Sequence, residues 1–203
     1  MQQTKSGRPT GSGGKAEELT AQEIRRIDKC LIGTRHEFRN RCLLYLGLGS
    51  GMRISEMVAL KVKDVAPHGE VLNRVVLEKH ATKSGRSRTV ALSSQAVGHL
   101  KKYLATVPPK SVEAPLFPSQ KHPDKPMNST WAIQMLHDMF REAGVANASS
   151  HSLRRTHANT LRRNGADLMI IKEQLGHASL AITQRYFETD PMEVQAAVDT
   201  LKF

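Results

Sequence analysis

The sequence lacks any long apolar segment. Its 203 residues contain no uninterrupted apolar run of the length that a bilayer-spanning helix needs. The N-terminal residues MQQTKSGRPTGSGG are polar and glycine-rich, without the apolar stretch of a secretory signal. We therefore expect a cytoplasmic protein with no membrane partner.

Cysteine is scarce as well. Cys30 and Cys42 are the only two, and we predict that both are small apolar core residues in a reducing compartment. Neither CxxC nor HExxH occurs, and the nine histidines show no spacing typical of metal ligands. The sequence therefore predicts no metal site and no cofactor.

Acidic residues are outnumbered by basic ones. The chain has 19 Asp and Glu against 30 Lys and Arg, which gives a formal net charge of +11 at pH 7. A globular chain this basic usually contacts a polyanion. Since no membrane segment is present, nucleic acid is the favoured partner.

The basic residues are concentrated in two segments. Residues 79–102 carry six cations and no acid, and residues 150–186 carry six cations against two acids. One charged run is typical of a solvated face, but two unbalanced runs indicate a surface that binds a phosphate backbone. The residues that we expect to contact this backbone are Lys79, Arg86, Arg88, Arg155 and Arg162.

Hydrophobic periodicity predicts a mainly α-helical chain with a small antiparallel β-hairpin, an α+β fold. After a disordered basic tail over residues 1–14, a capping box at Thr20 and Glu23 begins the first helix. The stretches EVLNRVVLEK and SRTVALS are predicted strands, and KSGRS between them is a predicted turn.

The second half of the chain is predicted to be a surface loop followed by four helices. The proline-rich loop over residues 106–127 is expected to pack through Phe117. The helical stretches follow Asn128 and end near glycines. We expect Trp131, Met135 and Phe140 in the core.

Tyrosine is another rare residue, with three in the chain, and Tyr186 lies nine positions after His177. A lone tyrosine is usually a half-buried packing residue, because a phenol titrates near pH ~10 and is a poor nucleophile unaided. A nucleophilic role would need cations to stabilise the charge that develops on an attacked phosphodiester.

Arginines and a lysine are placed to provide such cations. Arginine suits a phosphate because its planar fork binds two oxygens at once and stays charged. Arg53 follows a glycine break at a helix start, and Arg154 lies one helical turn after His151. Lys83 begins the predicted hairpin turn, where a lysine can reach a leaving group. Together these residues predict a phosphate site without a metal.

Four segments resemble, in chain order, the signature segments of the tyrosine recombinases, the phage integrase family: GMRISEM, TKSGRSRTVALS, HSLRRTHA and LGHASLAITQRYF. The resemblance covers about residues 15–203. It implies a tyrosine recombinase catalytic-domain fold and a site-specific DNA recombinase or integrase. Such an enzyme cleaves and rejoins DNA strands through a 3′-phosphotyrosyl intermediate without metal or ATP, and it would serve a phage, plasmid or other mobile element.

The resemblance also implies a role for each matching residue. Tyr186 would be the nucleophile, Arg53 and Arg154 would bind the non-bridging oxygens, His151 would assist proton transfer, His177 would hydrogen-bond the phosphate, Lys83 would protonate the leaving 5′-oxygen and Glu56 would orient the arginines. The implied partner is double-stranded DNA, bound by a homo-oligomer in a tetrameric synapse within the bacterial nucleoid. The free protein is expected to be a monomer.

The resemblance leaves the architecture open. Most family members carry an N-terminal helical core-binding domain, whereas only residues 1–14 precede the predicted catalytic domain here. The chain is then either a fragment or a natural minimal recombinase, and the sequence is compatible with both.

Two other functions also remain open. A type IB-like topoisomerase uses the same kind of site but reseals the strand that it cuts. A non-catalytic DNA-binding regulator is the other alternative, and the complete set of six catalytic positions argues against it.

The C-terminal segment has two interpretations. Asp190 and Pro191 predict a helix start, and Val194, Val198 and Leu201 form one narrow apolar face after it. This face either packs on its own domain or docks on a neighbouring protomer.

Overall fold

The computed structural model describes residues 16–78, 87–106, 108–184, 194–195 and 198–201. Within these ranges the chain forms α1 (Ala21–Leu31), α2 (Glu37–Ser50), α3 (Ile54–Ala59), α4 (Val62–Val65), β1 (Arg74–Leu77), β2 (Arg88–Ala91), α5 (Ser94–Thr106), α6 (Ser129–Glu142), α7 (Ser150–Arg163), α8 (Leu168–Leu175) and α9 (Leu180–Gln184). The predicted α+β fold, mainly helical with one small antiparallel sheet, is confirmed. No helix in these ranges is both long enough and apolar enough to cross a membrane.

Side-chain oxygens cap the starts of several helices. At α1 the Thr20 hydroxyl accepts a hydrogen bond from the Glu23 N–H, and the Glu23 carboxylate accepts one from the Thr20 N–H, which confirms the predicted capping box. Ser149 and Asp167 accept comparable bonds at α7 and α8. Because caps fix where a helix begins, they set the register of α7 and α8, which both contribute to the candidate site.

The sheet is an antiparallel pair of β1 and β2. Val75 pairs with Val90, and both side chains are buried, whereas Val76 points to solvent. This is the alternation that the sequence predicted, although β1 begins at Arg74 and is shorter than the predicted strand. The predicted KSGRS turn falls largely outside the described residues.

The centre of the core is α2, which packs against α5 and α7. Leu43, Leu44 and Leu46 of α2 are completely buried. Phe117 of the proline-rich segment and Phe140 of α6 are the largest fully buried side chains. The predicted packing of the proline-rich segment through Phe117 is therefore confirmed.

Two predicted core residues lie at the surface. Trp131 is 42% exposed, with the Arg39 guanidinium 5.3 Å from its ring centroid. It lies at the edge of the buried stripe of α6 and is therefore only partly covered. Cys30 is exposed because α1 buries Ile27 and Leu31 instead, while Cys42 is buried as predicted.

Residues 16–20 lie against α7 and help to hold it. The Leu19 N–H donates to the Thr156 hydroxyl at 2.8 Å, and the Leu19 side chain is buried. The Glu18 carboxylate accepts from the Asn159 amide at 2.7 Å. On the other side of α7, a small apolar cluster that includes Ala158 and Ile171 fixes α8.

Candidate active site

The junction between α2 and α3 positions Arg53. The chain leaves α2 through Gly51, which has a left-handed backbone (φ 66°). A Cβ on Gly51 would lie 2.7 Å from both the His157 and the Leu175 side chains, so a larger residue would collide there as well as being strained. The tight turn places Arg53 at the N-cap of α3, close enough to His177 for its charge to act on that ring.

Glu56 binds both the side chain and the backbone of Arg53. One carboxylate oxygen accepts from Arg53 Nη1 at 2.9 Å, and the other accepts from the Arg53 backbone N–H at 2.8 Å. Glu56 is only 1% exposed, so its carboxylate is almost completely removed from water. The predicted orienting role of Glu56 is compatible with this geometry.

A second arginine, Arg88 of β2, binds the same carboxylate. Its Nη1 and Nη2 donate to the two oxygens of Glu56, each at 2.9 Å, in the parallel geometry that arginine and carboxylate prefer. Burial pushes the pKa of Glu56 upward, but the bonds from Arg88 and Arg53 outweigh it and hold this pKa below its ordinary value. Glu56 is therefore an ionised carboxylate shared by two guanidinium groups.

Arg154 is held by backbone carbonyls. Its side chain extends from α7 and is buried, with Nη1 donating to the Gly51 carbonyl and Nη2 to the Leu175 carbonyl, each at 2.6 Å. These carbonyls lie at the C-terminal ends of α2 and α8, where the helix dipole favours a cation. The two bonds fix the guanidinium plane before any substrate arrives.

His177 follows α8 through the left-handed Gly176 (φ 65°) and is 7% exposed. Its Nδ1 lies 2.9 Å from the Thr183 hydroxyl of α9. Burial lowers the pKa of His177 to about 4, with further lowering by the positive charges of Arg154, Arg53 and Arg88. At neutral pH the ring is uncharged, and it lies in the field of three arginines.

Two close contacts bring β2 against α8. A Cβ on Gly176 would lie 2.6 Å from Cδ and Nε of Arg88, so the glycine permits this approach. The Gln174 amide bonds to both backbone groups of Ala91 in β2. Its Nε2 donates to the Ala91 carbonyl at 2.8 Å, and its Oε1 accepts from the Ala91 N–H at 3.1 Å. Its Nε2 also donates to the Ser50 carbonyl at 3.0 Å. The hairpin base, α2 and α8 are thus fastened together around the arginines.

The structure brings together four of the predicted site residues: Arg53, Glu56, Arg154 and His177. His151 lies in the first turn of α7 with an exposed side chain, one turn before Arg154. Lys83 and Tyr186 lie outside the described residues.

The predicted backbone-binding residues have different environments. Arg88 is not on an open surface: its side chain is 9% exposed, and its terminal nitrogens bind Glu56. Arg155 is half-buried and donates to the Ala16 carbonyl at 3.2 Å, and Arg162 is half-buried near the end of α7. Lys79 and Arg86 lie outside the described residues.

Sequence reasoning missed Gln174 and Thr183. Gln174 is one polar residue on an amphipathic helix, a pattern typical of a solvated face, so nothing in the sequence distinguished it. Thr183 lies inside the fourth signature segment, six residues after His177. Its position between His177 and Tyr186 in that segment was the signal that could have identified it.

The chemistry available at this site is that of fixed cations and a neutral imidazole. Such an arrangement stabilises negative charge on an oxyanion or a phosphate. Within the described ranges, no group of three or more His, Cys, Asp or Glu residues is placed to hold a metal ion.

A family model described as "Phage integrase family" matches residues 17–193. The chain belongs to the phage integrase family. Its similar relatives include tyrosine recombinase XerA of Pyrococcus horikoshii, 28% identical over 184 residues, which cover 91% of this chain and 61% of XerA. Tyrosine recombinase XerC of Pelobacter propionicus is 36% identical over 148 residues, which cover 73% of this chain and 47% of XerC. The chain thus spans about half to three fifths of these relatives.

Solved structures agree on the fold of this phage integrase family member. A crystal structure of XerA recombinase matches with a TM-score of 0.72 at 23% identity, covering 92% of this chain and 66% of that one. The XerH site-specific recombinase bound to difH substrate, in a pre-cleavage complex, matches with a TM-score of 0.67 at 23% identity, covering 90% of this chain and 53% of that one. The predicted tyrosine recombinase catalytic-domain fold is confirmed.

Proposed function

We propose that the protein is a site-specific DNA recombinase or integrase that cleaves and rejoins strands through a phosphotyrosyl intermediate. The observation that carries the proposal is the convergence of Arg53, Arg154 and His177 on one site, in a chain of the phage integrase family. These three residues come from three separate signature segments. Arg53 is held by the buried carboxylate of Glu56, and Arg154 is held by the carbonyls of Gly51 and Leu175.

The proposed chemistry balances without a cofactor. The Tyr186 phenol oxygen attacks the scissile phosphorus, the bond to the 5′-oxygen breaks, and the 3′ end of the DNA becomes esterified to the tyrosine. The phenol proton passes to His151, and the leaving 5′-oxygen takes a proton from Lys83. Attack by a 5′-hydroxyl on the ester reverses these steps, so that rejoining needs no ATP.

The arginines supply the stabilisation that a metal supplies elsewhere. Negative charge grows on the non-bridging oxygens during the attack, and Arg53 and Arg154 are the cations that meet it. Each is already fixed, Arg53 by Glu56 and Arg154 by two carbonyls, so little reorganisation is required when the phosphate binds. The neutral His177 adds a hydrogen bond without adding a further buried charge.

Relatives in complex with DNA support a DNA duplex as the substrate. XerH is described as bound to its difH substrate, and a Tn1549 transposon integrase as bound to transposon right-end DNA. The net charge of +11 suits the same partner. We propose recombination of a mobile element, phage or plasmid as the biological role.

We also propose that the protein assembles into a homo-oligomer on DNA, with a tetramer as the synaptic form and a monomer in the free state. A lambda integrase is described as a dimer bound to a core site. In this chain, the apolar side chains of Val194, Val198 and Leu201 are each about half exposed, which supports docking on a neighbouring protomer. The proposed place of action is the bacterial nucleoid.

A trapping experiment tests the chemistry. The full chain is incubated in EDTA with a pool of nicked duplexes of randomised sequence, in which cleavage releases a short 5′-hydroxyl fragment and leaves the covalent adduct behind. Adducts are resolved on a denaturing gel, and the attached DNA is sequenced. We expect adducts in EDTA, none with Tyr186→Phe, and normal amounts with the matched control Tyr103→Phe.

The same experiment separates the alternatives. Cleavage that requires added Mg²⁺, or that survives in Tyr186→Phe, would contradict the proposed mechanism. Transfer of the trapped strand to a second duplex supports recombination, whereas resealing of the original duplex alone would identify a type IB-like topoisomerase.

A further inference from the structure

Two buried histidines lie beside the site, and their Nδ1 atoms have partners of different chemistry. Nδ1 of His157 lies 2.8 Å from the Leu48 carbonyl. Because a carbonyl can only accept, this Nδ1 carries the proton. Nδ1 of His177 lies 2.9 Å from the Thr183 hydroxyl, which can donate or accept.

The burial of Thr183 decides the direction of its hydrogen bond. The residue is completely buried, and within the described part of the chain its hydroxyl has one hydrogen-bond partner, Nδ1 of His177. A buried hydroxyl hydrogen without an acceptor is costly, so the hydroxyl must donate to this nitrogen. Nδ1 is then the acceptor, and the single proton of the neutral ring lies on Nε2.

We propose that Thr183 is a positioning residue that fixes the Nε2–H tautomer of His177, so that the ring donates its hydrogen bond to the DNA phosphate through Nε2. The role rests on the proposed function. It does not require Thr183 to touch the substrate, since the hydroxyl acts on the opposite nitrogen of the ring.

The neutrality of His177 is what makes a tautomer-fixing residue necessary. A doubly protonated ring would donate from both nitrogens, but burial and the neighbouring arginines hold the pKa of His177 at about 4. A neutral imidazole has one N–H, and in the wrong tautomer Nε2 would present a lone pair to an anionic phosphate. Loss of the hydroxyl removes the donor that keeps Nδ1 an acceptor, so the tautomer with its proton on Nδ1 becomes accessible.

Nitrogen NMR of the histidine rings tests the tautomer directly and without DNA. In the full chain at neutral pH, we expect the His177 ring to show a protonated Nε2 and an unprotonated Nδ1. His157 serves as the internal reference with the opposite pattern. In Thr183→Val, which keeps the shape and removes the hydroxyl, His177 should lose its single-tautomer pattern, whereas Thr183→Ser and the exposed control Thr106→Val should keep it.

Cleavage of the nicked duplex pool tests the consequence. We expect Thr183→Val to slow adduct formation by at least about tenfold, since a histidine in the wrong tautomer cannot donate its hydrogen bond to the phosphate. Thr183→Ser should restore most of the rate, and Thr106→Val should leave it unchanged. Thermal unfolding of each variant shows whether a lower cleavage rate comes from misfolding. If Thr183→Val misfolds, the cleavage rate of Thr183→Ser and the tautomer of His177 in the wild type still test the proposal.

Each contrary result has one meaning. A wild-type His177 with its proton on Nδ1 would overturn the proposal, as would a folded Thr183→Val that cleaves at the wild-type rate. A Thr183→Ser variant as slow as Thr183→Val would also overturn it, because the hydroxyl would then not be the cause. A wild type with the expected tautomer that forms no adduct on any DNA would instead reject the proposed function.

Discussion

Glu56 and Arg88 form a buried, two-bond ion pair between residues that lie 32 positions apart in the sequence. The pair joins α3 to the base of the β-hairpin. It also leaves Glu56 able to bind Arg53, so that one carboxylate organises two guanidinium groups. The geometry of the arginine site therefore depends on Arg88, which is not among the three residues proposed to contact the phosphate, Arg53, Arg154 and His177.

Breaking this pair from one side should be strongly destabilising. Arg88→Met removes one cation and leaves the Glu56 carboxylate buried with Arg53 as its remaining side-chain partner, and the loss of one partner from a buried pair costs about 3–5 kcal/mol. Urea unfolding measures the change. The exposed pair of Lys63 and Glu113 provides the control, since Glu113→Gln should lower the free energy of unfolding far less than Arg88→Met does.

A double variant separates the pair from its parts. The double variant Glu56→Gln with Arg88→Met removes both charges of the pair, so neither is left buried without the other. Its loss of unfolding free energy should therefore be smaller than the sum of the losses in the two single variants. Additive losses would show that Arg88 contributes through packing alone.

Gly176→Ala should be more damaging than its backbone angle alone explains. Gly176 and Gly144 share nearly the same left-handed φ (65° and 68°), but a Cβ on Gly176 would lie 2.6 Å from Arg88, whereas nothing lies within 4 Å of one on Gly144. Gly144→Ala therefore measures strain alone, on the order of 1 kcal/mol. We expect a larger unfolding loss for Gly176→Ala, together with slower DNA cleavage. Equal losses in the two variants would mean that Arg88 moves aside without cost.

The folded chain should become less stable as the pH is lowered from about 6.5 to about 4, because the pKa of His177 differs between the folded and the unfolded chain. Its pKa is about 4 in the folded chain and near 6.5 when unperturbed, so unfolding takes up a proton between these values. The free energy of unfolding then decreases with falling pH, by up to about 1.4 kcal/mol per pH unit for one proton. Urea unfolding from pH 7 to pH 4 measures the slope.

The comparison variant for this pH effect is His177→Gln, which cannot titrate. Its slope should be shallower than that of the wild type, although not flat, because burial also lowers the pKa of His157. Identical slopes in the two proteins would contradict the shifted pKa of His177.

The sequence predicted local features better than long-range contacts. The capping box of Thr20 and Glu23 and the buried face of Val75 and Leu77 depend on neighbours a few residues away, and both are found. The two-bond contact of Arg88 with Glu56 depends on how the hairpin packs against α3, which residue spacing in the sequence does not predict. Because residues 79–102 contain no acid, the sequence suggested that Arg88 faces DNA. Its carboxylate partner, Glu56, lies in a different segment of the chain.

The errors at Trp131 and Cys30 have a related cause. Periodicity identifies which face of a helix is apolar, but it does not give the width of the surface that the face meets. Both residues lie at the edge of a buried stripe. The identity of the candidate site residues was predictable because each belongs to a signature segment. The carbonyl partners of Arg154 were not, since they come from the ends of α2 and α8.

Arg162 should contribute to DNA affinity in a salt-dependent way. It is half-buried near the end of α7, on the helix that carries His151 and Arg154. If it contacts a phosphate, Arg162→Gln should weaken binding to all DNA sequences alike and reduce the slope of log affinity against log salt by about 1. Fluorescence anisotropy on duplex pools at several salt concentrations measures both. Arg25→Gln, an exposed arginine on α1, is the control and should change neither.

The C-terminal apolar face should matter for assembly rather than for folding. Val194 and Val198 are about half exposed, so replacing both with serine removes little buried area from the monomer. We expect the melting temperature and single-site DNA binding of Val194→Ser with Val198→Ser to stay near those of the wild type, while strand exchange between two duplexes drops sharply. Val112→Ser, an apolar residue of similar exposure elsewhere on the surface, should leave all three unchanged. A clear fall in melting temperature in the double variant would instead favour a helix that packs on its own domain, because only a face buried in the monomer can stabilise it.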